Sequence, residues 1–178
     1  MKNLFLRYIT GSIPFIALCT CGYAQNNELT DPITDLAHNN VKASRNMSAT
    51  GVPATSINTK TVKNFKKNYK TSNAVSWFDI KDGILAEFKE DEITTKVFYD
   101  RKGNKTASIR SYFENKLPRD IRHQVKSHYY DFNIFYVQEV TVGDKTAYLV
   151  KIEDPLSFKT IRVVDGEMDE LEAFTKSK

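Results

Sequence analysis

Closely spaced turn signals limit most strongly what this chain can fold into. Apolar or alternating runs occupy residues 74–80, 84–89, 94–99 and 107–113. They are separated by Lys81-Asp82-Gly83, Glu90-Asp91-Glu92 and Asp100-Arg101-Lys102-Gly103-Asn104. Connections this short join antiparallel neighbours and leave no room for a parallel crossover. A second series follows at 134–142, 146–153, 158–164 and 171–174, broken by Gly143-Asp144, Asp154-Pro155 and Asp165-Gly166. A helical pattern precedes each series. Val62, Phe65 and Tyr69 recur at helical spacing behind a cap at Asn58 or Thr59, and Ile121, Val125 and Tyr129 recur behind Leu117-Pro118. Pro118 suits a first helical position, and Asp120 suits the positive end of the helix dipole. The two helix starts lie about sixty residues apart. The pattern predicts an α+β class: a tandem repeat of a helix followed by an antiparallel β-meander, with the helices packed on one face of the sheet. The predicted domain spans residues 58–178, its repeats covering 58–113 and 117–174.

Ahead of that domain, residues 1–24 read as a secretory signal peptide. Lys2 and Arg7 stand without an acid, a mainly apolar run follows over 9–21, and Gly22-Tyr23-Ala24 ends it with small residues at the cut. About a dozen apolar residues fall short of a bilayer span, so no transmembrane segment is expected in the mature chain. Cys19 follows Leu18 and Cys21 follows Thr20, which fits a lipidation site poorly. A cut after Ala24 leaves no cysteine, and the core must then hold the fold alone. Residues 25–57 are rich in Asn, Thr, Ser and Ala and read as a flexible linker. The expected location is outside the cytoplasm, periplasmic or at the cell surface, and not as a lipoprotein.

Charge argues against two classes of main partner. The chain has 26 basic and 22 acidic residues; without Lys2 and Arg7 the balance is 24 to 22, too even for nucleic acid or an anionic membrane surface as the main partner. Hydrophobic content of 40% and charged content of 27% fit a globular chain with a real core. No glycine-rich phosphate loop or nucleophile elbow is present. His123 and His128 are five apart and miss the i, i+4 spacing of a helical metal pair. The acidic run from Asp165 to Glu170 lacks the calcium-loop spacing and reads as a hairpin turn with acidic flanks. No catalytic residue, metal or cofactor is therefore expected. The lysines at 60, 63, 66, 67 and 70 read either as the solvated face of the first helix or as contacts to an acidic partner.

Strand alternation supplies candidate contact residues. In the first series, Ile84, Ala86 and Phe88, Val97 and Tyr99, and Ala107 and Ile109 are expected to face the helix. The opposite face then shows Leu85, Glu87, Lys89, Lys96, Phe98, Arg110 and Tyr112. Aromatic and arginine anchors dominate protein interfaces, so Lys96, Phe98, Arg110 and Tyr112 are candidate partner-binding residues. The same residues would equally fill a contact between two packed sheets. Trp77 joins the candidates with two readings, ligand anchor or core, because its run is apolar on both faces.

The residues from Val62 to Tyr69, Ala74-Val75-Ser76-Trp77, Gly83-Ile84-Leu85-Ala86-Glu87-Phe88 and Val97-Phe98-Tyr99-Asp100-Arg101-Lys102-Gly103 resemble the first repeat of the PepSY-like proteins. That family, also called β-lactamase-inhibitor-like, is common among exported proteins of Bacteroidetes. Leu117-Pro118 to Tyr129, Tyr148-Leu149-Val150 and Asp165-Gly166 resemble its second repeat. The resemblance implies a helix-on-sheet fold and an inhibitor role, and carries over no catalytic residue. The expected function is an exported, non-enzymatic binding module that inhibits or regulates another envelope or extracellular protein. The alternative is an envelope carrier of a small ligand, or a structural protein.

Overall fold

The computed structural model describes residues 50–71 and 74–177. The expected signal peptide, both cysteines and most of the expected linker lie outside the described residues. Just over half of the described residues are in strands, and they form one sheet. Its nine strands are β1 (Thr50–Val52), β2 (Ser76–Ile80), β3 (Gly83–Glu90), β4 (Ile93–Asp100), β5 (Lys105–Tyr112), β6 (Asn133–Val142), β7 (Lys145–Glu153), β8 (Ser157–Val164) and β9 (Glu167–Thr175). Every strand pairs antiparallel with its neighbours in the chain, in the order β1 to β9. Two helices, α1 (Thr59–Asn68) and α2 (Arg119–His128), complete the fold with the short 3-10 turns Ala54–Ser56 and Glu114–Lys116.

This corrects the expected architecture. The chain does not form a tandem repeat of helix-plus-meander units. It forms a single continuous antiparallel sheet in which β5 and β6 are hydrogen-bonded from Ala107↔Val142 to Tyr112↔Val137. The strand N–H and C=O groups at the expected boundary are satisfied by this pairing, so no sheet edge separates two units. One strand was also missed. Thr50–Val52, placed in the linker by composition, pairs with β2 as Thr50↔Asp79 to Val52↔Trp77.

The helices form where capping and periodicity agree. The Asn58 side chain accepts a hydrogen bond from the Lys60 N–H at 2.8 Å, satisfying one unpaired donor of the first turn. Thr61 and Phe65 are the buried residues of α1, and its lysines lie outward. In α2 the fully buried residue is Val125, with Ile121 and Tyr129 packed beside it. Pro118 sits at the N-cap, one residue before the position expected for it.

Both helices cover the same face. Phe65 packs against Trp77, Ala86, Phe88, Val97 and Tyr99, its ring 5.3 Å from Trp77 and 5.5 Å from Phe88. Val125 packs with Tyr112, Val137, Val150, Ile161 and Val163. Val97 pairs with Ser108, and Ser108 and Tyr112 lie on one side of β5, which joins the two cores into one layer. The turn after β4 fastens α1 to the sheet. A Cβ on Gly103 would stand 2.9 Å from the Thr61 nitrogen, and its φ is +80°, so only glycine suits this contact. Asn104 accepts from Lys60 at 2.7 Å and donates its backbone and side-chain N–H groups to Asp100. Those bonds from Asn104 hold the Asp100 carboxyl below its ordinary pKa.

The other face carries no helix among the described residues. Its centre is nevertheless apolar: Leu85, Phe98, Ala107, Ile109, Val140 and Leu149 are buried there, with Phe78, Ile80, Val142 and Leu171 packed against them.

Candidate functional site

A bulge in β5 decides where the candidate residues go. Tyr99 pairs with Lys105 but Phe98 pairs with Ala107, leaving Thr106 as an extra residue whose hydroxyl donates to the Phe98 carbonyl at 3.2 Å. One inserted residue transfers every later side chain of the strand to the opposite face. Ala107 and Ile109 therefore lie on the open face, not under the helix. Arg110 and Tyr112 lie on the helix face, reversing the alternation expected from sequence. Lys96 and Phe98 remain on the open face, where Lys96 pairs with Glu87 at 3.7 Å. The five candidates are thus divided between two faces. Trp77 is 7% exposed beneath α1, Phe98 is 7% exposed and Tyr112 2%.

On the helix face, Arg110 and Tyr112 converge on a residue from the neighbouring strand. Arg110 pairs with Glu139 across β5 and β6, and its Nη1 donates to both Glu139 oxygens at 3.1 and 3.0 Å. The Tyr112 hydroxyl donates to Glu139 Oε2 at 2.8 Å, and the Arg110 guanidinium lies 5.7 Å from the Tyr112 ring. Burial, and then the bond to Glu139, push the Tyr112 phenol well above its ordinary pKa. Burial and the same carboxylate raise Tyr148, the next residue across the sheet. A protonated phenol held by a carboxylate that also accepts twice from Arg110 is a cross-strand tie. Beside it, Tyr69, Phe88, Ile93, Thr95 and Arg110 line an open recess of about 260 Å³, with Glu90 and Asp91 on its wall. Charged walls and openness distinguish this recess from a dry apolar chamber for a carried ligand.

The open face has an exposed apolar group that the alternation pattern does not reveal. At the corner where β6 begins and β9 ends, Phe135, Phe158, Phe174 and Leu156 are 36%, 38%, 60% and 69% exposed. A second bulge places Phe135: Ile134 pairs with Ile152 and Tyr136 with Lys151, so Phe135 is the extra residue. Its ring meets Phe158 edge-on at 6.0 Å, and Phe158 pairs directly with Phe174. Lys176 Nζ stands 4.3 Å above the Phe158 ring and bonds Glu153 at 2.8 Å. Leu156 adjoins the group through its carbonyl, which accepts from the Lys176 N–H at 2.8 Å. Clustered exposed aromatics with a charged rim are the usual composition of a protein contact. Phe158 and Phe174 were recognisable as strand residues, but their convergence with Phe135 depends on the bulge.

Two carboxylates of the acidic run after β8 are paired with basic side chains of β8. Arg162 bonds Asp169 through Nη2 and Nε, and Lys159 bonds Glu170 at 2.6 Å. Among the described residues, no group of three or more His, Cys, Asp or Glu side chains is placed to hold a metal ion, and no helix is long and apolar enough to cross a membrane.

No protein-family model and no curated protein matches this chain. Solved structures do. A BLIP-like protein from Bacteroides fragilis superposes with a TM-score of 0.55 at 17% identity, over 70% of this chain and 87% of that one. A DUF2874 family protein from Bacteroides uniformis gives 0.53 at 16% identity, over 70% and 89%. A protein of proposed periplasmic location from Bacteroides eggerthii gives 0.53 at 15%, over 67% and 88%. At these identities the likeness is one of fold. It supports the β-lactamase-inhibitor-like resemblance at that level, whereas the PepSY-like label finds no support. The chain has the fold of these Bacteroides proteins.

Proposed function

We propose that the protein is a non-enzymatic recognition module acting outside the cytoplasm. In this reading, its partner is another envelope or extracellular protein. The carrying observation is the exposed group of Phe135, Phe158 and Phe174 on the sheet face that no described helix covers, with exposed Leu156 in the adjoining turn. Four large apolar side chains gathered in water gain by burial against a partner, at roughly 25 cal/mol per Å² of apolar surface covered. Inhibition or regulation of the bound protein is the form of activity that the BLIP-like neighbour's name suggests for this chain. The location outside the cytoplasm rests on the expected signal peptide and on the neighbour of proposed periplasmic location.

The test substitutes the exposed rings. Phe98 and Tyr112 are buried, so truncating them measures folding instead of recognition. Phe158→Ser with Phe174→Ser leaves the core intact and is expected to abolish recovery of the envelope proteins that cross-link to the wild type. Arg110→Ala, on the other face, should leave recovery unchanged. Equal recovery by wild type and the phenylalanine pair would reject the open-face surface. Loss with Arg110→Ala alone would move recognition to the helix-face recess.

A further inference from the structure

Formal charge is divided between the two layers of the molecule. Residues 58–70, which contain α1, carry five lysines and no acid; residues 117–129, which contain α2, carry Arg119, Arg122 and Lys126 against Asp120 alone. The helix layer therefore has a formal charge of +7. The remaining described residues, which are the sheet and its turns, carry 13 basic and 18 acidic residues, or −5. A near-neutral chain thus folds into a strongly polarised one. Both helices cover the same face of the sheet, so these charges share one side. The exposed residues of α1 are Thr59, Lys60, Lys63, Lys66, Lys67 and Asn68. Among the described residues, Lys63, Lys66 and Lys67 join no ion pair.

We propose that the exposed face of α1 is a docking face for an anionic phospholipid bilayer. Three features favour a headgroup surface over an acidic protein. The exposed cations of α1 are all lysine, a flexible point charge, with no arginine to grip a fixed carboxylate through two bonds. Lysine is depleted from protein interfaces, whose anchors are aromatic residues and arginine, and α1 exposes neither. A bilayer surface attracts each nearby lysine independently and needs no matching shape. Docking in this way turns the open aromatic corner away from the lipid. The inference does not depend on the partner-binding reading.

The experiment is sedimentation of the full chain with vesicles of equimolar phosphatidylglycerol and phosphatidylcholine, against vesicles of phosphatidylcholine alone. Attraction contributed by the apolar N-terminal run is common to all variants. Wild type should partition preferentially onto the anionic vesicles, and the preference should collapse as salt rises from 0.1 M to 1 M and the screening length falls from about 10 to about 3 Å. Lys63→Gln with Lys66→Gln preserves helix propensity and should weaken anionic partitioning about 30-fold. Lys81→Gln with Lys145→Gln removes equal charge from the turns and should weaken it less than about threefold. Unchanged circular dichroism confirms that each variant is folded. No preference for anionic vesicles, or equal losses for the two pairs, would overturn the proposal. Binding to polyglutamate without binding to vesicles would also overturn it and assign the face to an acidic protein.

Discussion

The tie between Arg110, Tyr112 and Glu139 allows a quantitative prediction. Tyr112 is 2% exposed, and its hydroxyl donates to Glu139 at 2.8 Å. Glu139 also accepts twice from Arg110 and keeps its side chain 15% exposed. Tyr112→Phe removes one hydrogen bond to a charged acceptor and leaves the packing of the ring in place. Such bonds contribute about 1.5–3 kcal/mol; the residual exposure of Glu139 places this one near the lower end, about 1.5 kcal/mol. Glu139→Ala is worse, because it strands the buried Tyr112 hydroxyl as well as the guanidinium, and should cost about 3 kcal/mol. In the double variant no hydroxyl is stranded. Adding Tyr112→Phe to Glu139→Ala should therefore cost nothing, giving a coupling energy of at least about 1.5 kcal/mol. Urea unfolding followed by circular dichroism measures the cycle. With a slope of about 1–3 kcal/mol per molar urea, Glu139→Ala should lower the midpoint by about 1 M or more. A coupling below about 0.5 kcal/mol would show that the two side chains act independently and refute the tie.

Two further outcomes follow from burial and close approach. Burial first, with neighbouring Tyr69 adding, raises the phenol of Tyr99 in the folded state, as burial raises Tyr112. The unfolded phenols ionise near pH 10, so this stability is fully present below that pH and is lost as pH rises above it. Each tyrosine then contributes a fall of about 1.4 kcal/mol per pH unit. A urea midpoint that stays flat from pH 9 to pH 11, after allowing for the other tyrosines, would contradict this. Separately, Gly83→Ala puts a Cβ 1.8 Å from the Tyr99 carbonyl oxygen, which belongs to the backbone and has no flexible end to retreat. A loss of about 3 kcal/mol or more is expected, seen as a lower thermal midpoint with weakened hairpin protection in hydrogen exchange. An unchanged midpoint would show that the β3–β4 ladder can move apart.

Much of the fold was legible because its signals are local. The alternation at 84–89, 94–99 and 146–153 reappears as β3, β4 and β7 within a residue at either end, and the Asp165-Gly166 turn closes the last hairpin with positive φ at both residues. Gly83 ends the Lys81-Asp82-Gly83 turn signal, yet it is not among the positive-φ glycines; its requirement is steric. Side-chain direction was less legible. Thr106 and Phe135 become extra residues only relative to partner strands, and no pattern within one strand marks them. Alternation taken from Ala107 puts Arg110 and Tyr112 on the open face, whereas the bulge at Thr106 turns them to the helix face beside Glu139. The meeting of Phe135 with Phe158 depends on its own bulge, which alternation along one strand does not show. The join between β5 and β6 was missed for a related reason: residues 113–132, which contain α2, lie between the two strands, and this hid them as hydrogen-bonding neighbours.

The sequential order of the sheet also sets how the molecule can assemble. Each strand finds its partner in the segment before or after it, so no pairing waits for a distant part of the chain to arrive. Loop closure is short at most steps, and rates of folding rise as contacts become more local. Growth can proceed one hairpin at a time, with microsecond hairpin formation as the elementary event. The longest searches are those that carry α1 between β1 and β2 and α2 between β5 and β6. These two closures, and not the strand count, are then the slow steps of folding. A hairpin added or lost beyond β9 would change the width of the sheet without rethreading any part of it.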